Sequence, residues 1–167
     1  VTPDIMTMAK ALTNAAQPMG AVAVSDKVYD SIMDSSAEGA IEFFHGYTYS
    51  GHPAACAAGI ATMDIFEKEN LIERAAELSG YFLDQVFALS DIPLVTDIRG
   101  YGLFAGVDLE PMGNPGVRGI DFQKRLFKNG LHIKMTGDAA LLAPPLVSEH
   151  HHIDRICEVI RQTLAEY

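Results

Sequence analysis

Lys10 lies in the stretch PDIMTMAKALTN, Pro3–Asn14, among Ile5, Met6, Met8, Ala9, Ala11 and Leu12, with no acidic residue within five positions on either side. This setting admits two readings. A lysine can lay its stem over apolar side chains and carry its ammonium to water. Alternatively, an apolar site can hold the amine neutral and nucleophilic. A free lysine, with a pKa of about 10.4, is almost wholly protonated at neutral pH, and burial or a neighbouring cation is what lowers that value.

The other groups that do chemistry are less suggestively spaced. Glu149–Asp154 reads EHHHID, but adjacent histidines diverge around a helix, and the residue four places after His150 is Asp154. A chelating i, i+4 pair is therefore missing, and no metal site is expected. Cys56 and Cys157 follow no metal-ligand spacing. Both are expected to be small core thiols in a reducing compartment. His45 and His52 bracket the segment between them and are expected to hydrogen-bond backbone there.

The chain has 167 residues, 49% of them apolar, enough for a sizeable core. Its 22 acids against 12 bases give a formal charge of −10, and the bases are scattered. That balance argues against nucleic acid and anionic membranes as partners. No apolar run approaches the roughly 18 residues of a membrane span. The opening VTPDIMTMAK has neither an initiator methionine nor a charged leader. It reads as a sequence entered midway rather than as a signal peptide, and a cytoplasmic setting is expected.

Several elements must position these residues. Ala21–Val24 suits a short strand, followed by a helix capped by Ser25 or Asp26. Residues 35–53 read as a loop. Pro53 opens a long helical stretch with an Ala-rich first half, Asn70 marks a bend or break, and apolar residues from Leu71 to Leu89 recur at helical intervals. Two strands are expected around Gly100 and Gly102, then a Pro/Gly-rich loop. A helix in IDFQKRLFKNG stops at Asn129-Gly130, and LHIKM and AALLA form short strands around the turn TGD. A last helix is expected to be capped by Ser148. The change of character near Ser90–Pro93 divides the chain into 1–90 and 91–167, the second a compact α+β unit.

Three segments, in order, resemble the class III aminotransferases, pyridoxal-phosphate enzymes of fold type I. PDIMTMAKALTNAAQPMGAVAVS is similar to the lysine segment of that family, with Pro-Asp and apolar residues before the lysine and Pro-x-Gly-Ala after it. HGYTYSGHPAACAAGIATMDIFEKENL is similar to its T-x-x-G-x-P loop and Ala-rich helix. DIRGYGLFAGVDLE with TGDAALLAPPL is similar to its small C-terminal domain. The resemblance implies an α/β fold holding the end of the large cofactor domain, residues 1–90, and the small domain, residues 91–167.

It also implies residue roles. Lys10 would be the Schiff-base lysine, holding pyridoxal 5′-phosphate as an imine and moving a proton between substrate carbon and cofactor. Thr48 would bind the cofactor phosphate across a homodimer interface; the plain alternative is a turn or cap threonine. Tyr47 would line that pocket, as would Tyr49, unless both pack at an interface. Gly51 is expected to serve close backbone approach or an unusual φ, and Gln17, Pro18 and Met19 to shape the site near Lys10. Lys134, in HIKMTGD, stands where many relatives carry a carboxylate-binding arginine, and a lysine offers one compact charge without the fork. It would meet a substrate carboxylate less rigidly, mark a pocket for amines without one, or be a plain strand lysine.

The segment FFHGYTYSGHP is similar to the ω-amino acid/amine:pyruvate subgroup. That likeness implies transfer of an amino group from an amine or ω-amino acid to a keto acid such as pyruvate. Aminomutase, epimerase and decarboxylase reactions share the scaffold. A different kind of reading is a non-catalytic remnant, since the groups that stack on the cofactor ring and pair with its nitrogen are not recognised in these residues.

Overall fold

The computed structural model describes residues 1–40 and 47–167, and they pack as two units, Val1–Glu69 and Asn70–Tyr167. The break between these two packed units falls at Asn70. Asn70 takes a left-handed φ of 48°, a conformation its short polar side chain tolerates. The helix that follows turns Leu78, Phe82 and Val86 into the core of the second unit.

In the first unit, β1 (Ile5–Ala9) pairs antiparallel with β2 (Gly20–Val24), from Ile5↔Val24 to Ala9↔Gly20. Ile5–Ala9 was expected as the setting of Lys10, not as a strand. In Ile5–Ala9 only Thr7 is polar, so the segment has no alternation over its full length, and the pairing with Gly20–Val24, which carries Val22 and Val24, decides it. A short 3-10 turn, Lys10–Leu12, follows β1. The helix α1 (Asp26–Ser35) starts after Ser25, whose N–H reaches Asp4 O at 2.8 Å and whose hydroxyl reaches Asp4 Oδ1 at 3.2 Å. The helix α2 (Pro53–Lys68) opens on proline, whose fixed φ suits the first helical position. Its buried residues, Ala55, Gly59 and Thr62, form a small-residue stripe, while Ile60 and Met63 are exposed.

The second unit runs α3 (Leu71–Phe87), β3 (Val95–Tyr101), β4 (Phe104–Leu109), α4 (Val117–Lys128), β5 (Lys134–Thr136), β6 (Ala139–Leu142) and α5 (His150–Leu164). The four strands form one antiparallel sheet in the order β3-β4-β6-β5. Ala105, Val107 and Leu109 alternate along β4 into the core, as a half-covered sheet requires. There they meet Phe82 and Val86 of α3, Phe122 and Leu126 of α4, and Ile153 and Ile160 of α5. Removing a buried phenylalanine such as Phe122 costs about 3–5 kcal/mol. At neighbouring positions of β3 and β4, Asp97 and Asp108 stand opposite one another. Arg99 offsets that repulsion, reaching Asp97 Oδ2 at 2.8 Å and Asp108 Oδ2 at 2.7 Å.

Several boundaries differ from the expected ones. The α5 cap is Glu149, one residue beyond Ser148, and its N–H donates to His152 Nδ1 at 3.0 Å. β5 begins only at Lys134, leaving Leu131–Ile133 outside the strand. β3 runs on through Gly100 to Tyr101, and the chain turns at Gly102, φ 58°. Among the described residues, no helix is long and apolar enough to cross a membrane.

Candidate functional site

Lys10 sits one residue past the last β1–β2 pair, Ala9↔Gly20, so the strand delivers it to the start of the connecting turn. Its φ is 54°, in the left-handed region that residues with a Cβ seldom occupy. The turn brings Lys10, Thr13, Ala15, Gln17, Pro18 and Met19 around one cavity of about 440 Å³. Gln17, Pro18 and Met19 therefore do come together with Lys10. The apolar enclosure suggested by its sequence neighbours is not formed within this chain: Lys10, Ile5 and Met6 are all exposed.

Thr48 lies in the turn that leads into α2, closed by the Ser50 N–H donating to Tyr47 O at 3.0 Å. Gly51 follows with φ 69°, and a Cβ there would meet nothing within 4 Å. The positive φ is one that glycine adopts freely. Thr48, Ser50, Gly51, His52 and Cys56 line a cavity of about 720 Å³ at the start of α2, to which Tyr47, Pro18 and Met19 also contribute. The first amides of a helix have no intrahelical partner and carry its positive dipole end. With the Thr48 and Ser50 hydroxyls beside them and no carboxylate among the described lining residues, this donor set fits a phosphate. Lys10 and Thr48 line separate cavities, with Pro18 and Met19 in both.

Lys134 belongs to the second unit, exposed on the edge strand β5 opposite Leu141. It joins no ion pair among the described residues and borders a cavity of about 330 Å³ beside Leu131, Pro144 and Ile156.

Other expectations change. Cys56 is exposed on α2 and is not a core thiol; Cys157 is buried, and burial pushes its thiol pKa up to about 11. The His52 side chain makes no hydrogen bond among the described residues and instead lines the Thr48 cavity. His45 lies outside the described residues. His150 packs edge-on against Tyr81, and the His151 and His152 rings lie 3.8 Å apart. Among the described residues, no group of three or more His, Cys, Asp or Glu is placed to hold a metal ion.

Sequence reasoning passed over two residues. Thr13 is the buried member of the Lys10 turn, only 2% exposed, and its position in LTNAAQ carried no periodic signal. Asp138 accepts the Gly116 and Gly119 N–H groups at 2.8 and 2.9 Å, which holds its carboxyl below the ordinary value of 3.8. Only the fold brings it to the start of α4.

The comparisons with known proteins agree on the family. The model for "Aminotransferase class-III" matches residues 1–164. An omega-aminotransferase of Caulobacter vibrioides is 51% identical over 99% of this chain and 38% of its own length. A beta-alanine–pyruvate aminotransferase of Pseudomonas aeruginosa is 39% identical over 98% of this chain and 37% of its own. A crystal structure of the omega transaminase from Pseudomonas jessenii in complex with PMP has a TM-score of 0.92 and 34% identity, covering 99% of this chain and 38% of that one. The chain thus spans about two fifths or less of the length of the relatives it matches. The α/β fold expected from the resemblance is the one found, and class III aminotransferases depend on pyridoxal phosphate. By the extent of the match and by its fold, the chain belongs to the class III aminotransferase family.

Proposed function

We propose that this chain contributes the lysine and a phosphate-binding threonine to an aminotransferase that moves an amino group from an amine or ω-amino acid to a keto acid such as pyruvate. The observation that carries this is the backbone of Lys10. A lysine held at a strand end with φ 54°, in a turn that surrounds it with Thr13, Gln17 and Pro18, is a residue whose placement the fold maintains at a cost.

Each residue has a definite task. Pyridoxal phosphate, when bound, supplies a carbonyl carbon that accepts amines and a ring that withdraws electrons from it. Lys10 Nζ would hold the cofactor through that carbonyl carbon, and would be the base that moves a proton at the amine-bearing carbon of the substrate. Thr48 Oγ1 and the first amides of α2 donate to phosphate oxygens. Tyr47 and Gly51 shape that cradle. In the proposed assembly, a homodimer, Thr48 serves the partner's cofactor, in keeping with Lys10 and Thr48 lining separate cavities. Residues 1–90 then close the large domain and 91–167 form the small one, in a cytoplasmic enzyme. Lys134 meets the carboxylate of substrates that carry one.

The test is borohydride reduction with pyridoxal phosphate, followed by peptide mapping and an assay for alanine from an amine donor and pyruvate. Label confined to Lys10, with alanine formed and both lost in Lys10→Ala, is the expected result. Label scattered over several lysines overturns the assignment. The half-exposed β1–β2 side chains Ile5, Met6 and Val22 favour a second outcome for these 167 residues on their own: exposed apolar surface, no specific label and no catalysis.

A further inference from the structure

We propose that Thr13 is a positioning residue for Lys10: its buried hydroxyl closes the turn that keeps the Lys10 backbone left-handed. The inference deepens the reading above and rests on Lys10 as the attachment point of the cofactor.

Four non-glycine residues among those described have positive φ, and three of them crowd into this turn: Lys10 at 54°, Asn14 at 48° and Ala15 at 61°. Asparagine tolerates that region through its short polar side chain; lysine and alanine have no such compensation. Their conformations persist only where the surroundings over-determine them.

The surroundings that do so centre on Thr13. It is 2% exposed while Lys10, Ala11, Asn14 and Ala15 are open to solvent. Its hydroxyl donates to Gln17 O at 2.5 Å, spanning the turn. Its N–H donates to Lys10 O at 3.3 Å, Ala15 N–H donates to the same oxygen at 3.4 Å, and Ala16 N–H donates to Thr13 O at 2.9 Å. The Lys10 carbonyl is thus held from two sides, and Thr13 joins both halves of the network.

A second contact fixes the turn from outside. A Cβ on Gly59 of α2 would lie 2.9 Å from Met19 Cε and 3.4 Å from Leu12 O, so the helix backbone abuts the turn near both of its ends. With Ala9↔Gly20 pinning the base, the freedom left in the turn is that between Thr13 and Gln17, and the Thr13 hydroxyl removes it. An extended φ at position 10 would continue the alternation of β1 and send the Lys10 side chain elsewhere.

The test uses the complete enzyme carrying this chain, loaded with pyridoxal phosphate, and compares Thr13→Val, Thr13→Ser and Thr13→Ala. The readouts are the rate of borohydride fixation at Lys10, the pH midpoint of the bound-cofactor absorbance, kcat against KM, and Tm. Thr13→Val is isosteric but donates nothing. It is expected to slow fixation at Lys10 by about tenfold, the weight of one oriented hydrogen bond, to move the pH midpoint, and to lower kcat more than it changes KM. Serine restores the unmodified values. Serine and alanine lose the same methyl group, so their difference isolates the hydroxyl even where Thr13→Val does not fold. Equal fixation rates and pH midpoints in Thr13→Ser and Thr13→Ala, or unchanged values in a folded Thr13→Val, overturn the role of Thr13. Absence of label from Lys10 in the unmodified enzyme overturns the Lys10 assignment itself.

Discussion

The Asp138 carboxylate accepts the Gly119 backbone N–H at 2.9 Å, tying the turn between β5 and β6 to the first turn of α4. A second bond, from the Gly116 N–H at 2.8 Å, completes the clamp. The two amides are donors that α4 leaves unsatisfied, and an ionised acceptor at a helix start also meets the positive end of the dipole.

That clamp makes stability depend on pH in a definite direction. The fold depresses the Asp138 carboxyl below its ordinary 3.8, chiefly through these two amides. A depressed carboxyl stabilises the fold above its unfolded pKa, and the contribution is lost as pH falls through the folded value. Asp138→Ala is expected to cost about 1–2 kcal/mol at neutral pH, the usual weight of a lost cap. Urea midpoints measured at neutral pH and at about pH 3 check both parts: the deficit should shrink at the acid end.

Gly119 is predicted to be intolerant for a steric reason. A Cβ built there would overlap the Gly137 carbonyl oxygen, which belongs to backbone and cannot swing aside. Gly119→Ala must therefore push the β5–β6 turn off α4, stretching the Asp138 bonds with it. A loss of about 2–4 kcal/mol follows, the range of overpacking plus a damaged cap. Gly80→Ala is the control: a Cβ on Gly80 meets nothing within 4 Å, and a helical glycine gains from the exchange. Denaturant unfolding of both variants separates the two cases.

Much of this was legible locally. Pro53 announced the start of α2 because its φ is fixed before folding, and Asn129-Gly130 announced the end of α4, where Gly130 takes φ 86°. The unusual φ of Gly51, 69°, was visible as a glycine in a turn. What stayed hidden depends on residues distant in sequence. Asp138 caps a helix that begins before it in the chain, and no pattern around Gly116 reveals that. Cys56 sits in an Ala-rich helix whose composition does not say which stripe is covered; Ala55, Gly59 and Thr62 are, and Cys56 lies off that stripe. The break between packed units at Asn70 follows from where Leu78, Phe82 and Val86 pack.

The two thiols should react very differently. Burial holds Cys157 protonated, with its pKa pushed up to about 11, whereas Cys56 is exposed. The thiolate is the nucleophile, so iodoacetamide at mildly alkaline pH is expected to alkylate Cys56 and leave Cys157 intact until the protein unfolds. Mass mapping before and after urea addition reads this directly. Early label on Cys157 would mean that α5 opens locally.

Ala15 offers a stabilising exchange. Its φ of 61° costs a residue with a Cβ about 1–2 kcal/mol, and glycine occupies that region freely. Glycine also loses about 0.5–1 kcal/mol through the entropy of its unfolded chain. The strain is the larger effect, so Ala15→Gly is expected to stabilise by about 0.5–1 kcal/mol, visible as a raised denaturation midpoint. A fall in stability would show that the surroundings of Ala15 relieve the strain.

Lys134 is exposed on the edge strand and joins no ion pair among the described residues, so no structural bond competes for its charge. If its ammonium meets substrate carboxylates in the complete enzyme, Lys134→Ala should raise KM for an ω-amino acid by about tenfold. That factor corresponds to roughly 1.4 kcal/mol, within the range of a charge-assisted hydrogen bond. KM for an amine lacking a carboxylate should be unmoved, because that substrate never used the contact. Lys134→Arg should lower KM for the ω-amino acid, since a guanidinium engages both carboxylate oxygens where an ammonium presents a single point charge. Initial rates with the paired donors and a fixed keto acid decide the matter. Equal effects of Lys134→Ala on both donors would assign the residue to the β5 edge alone.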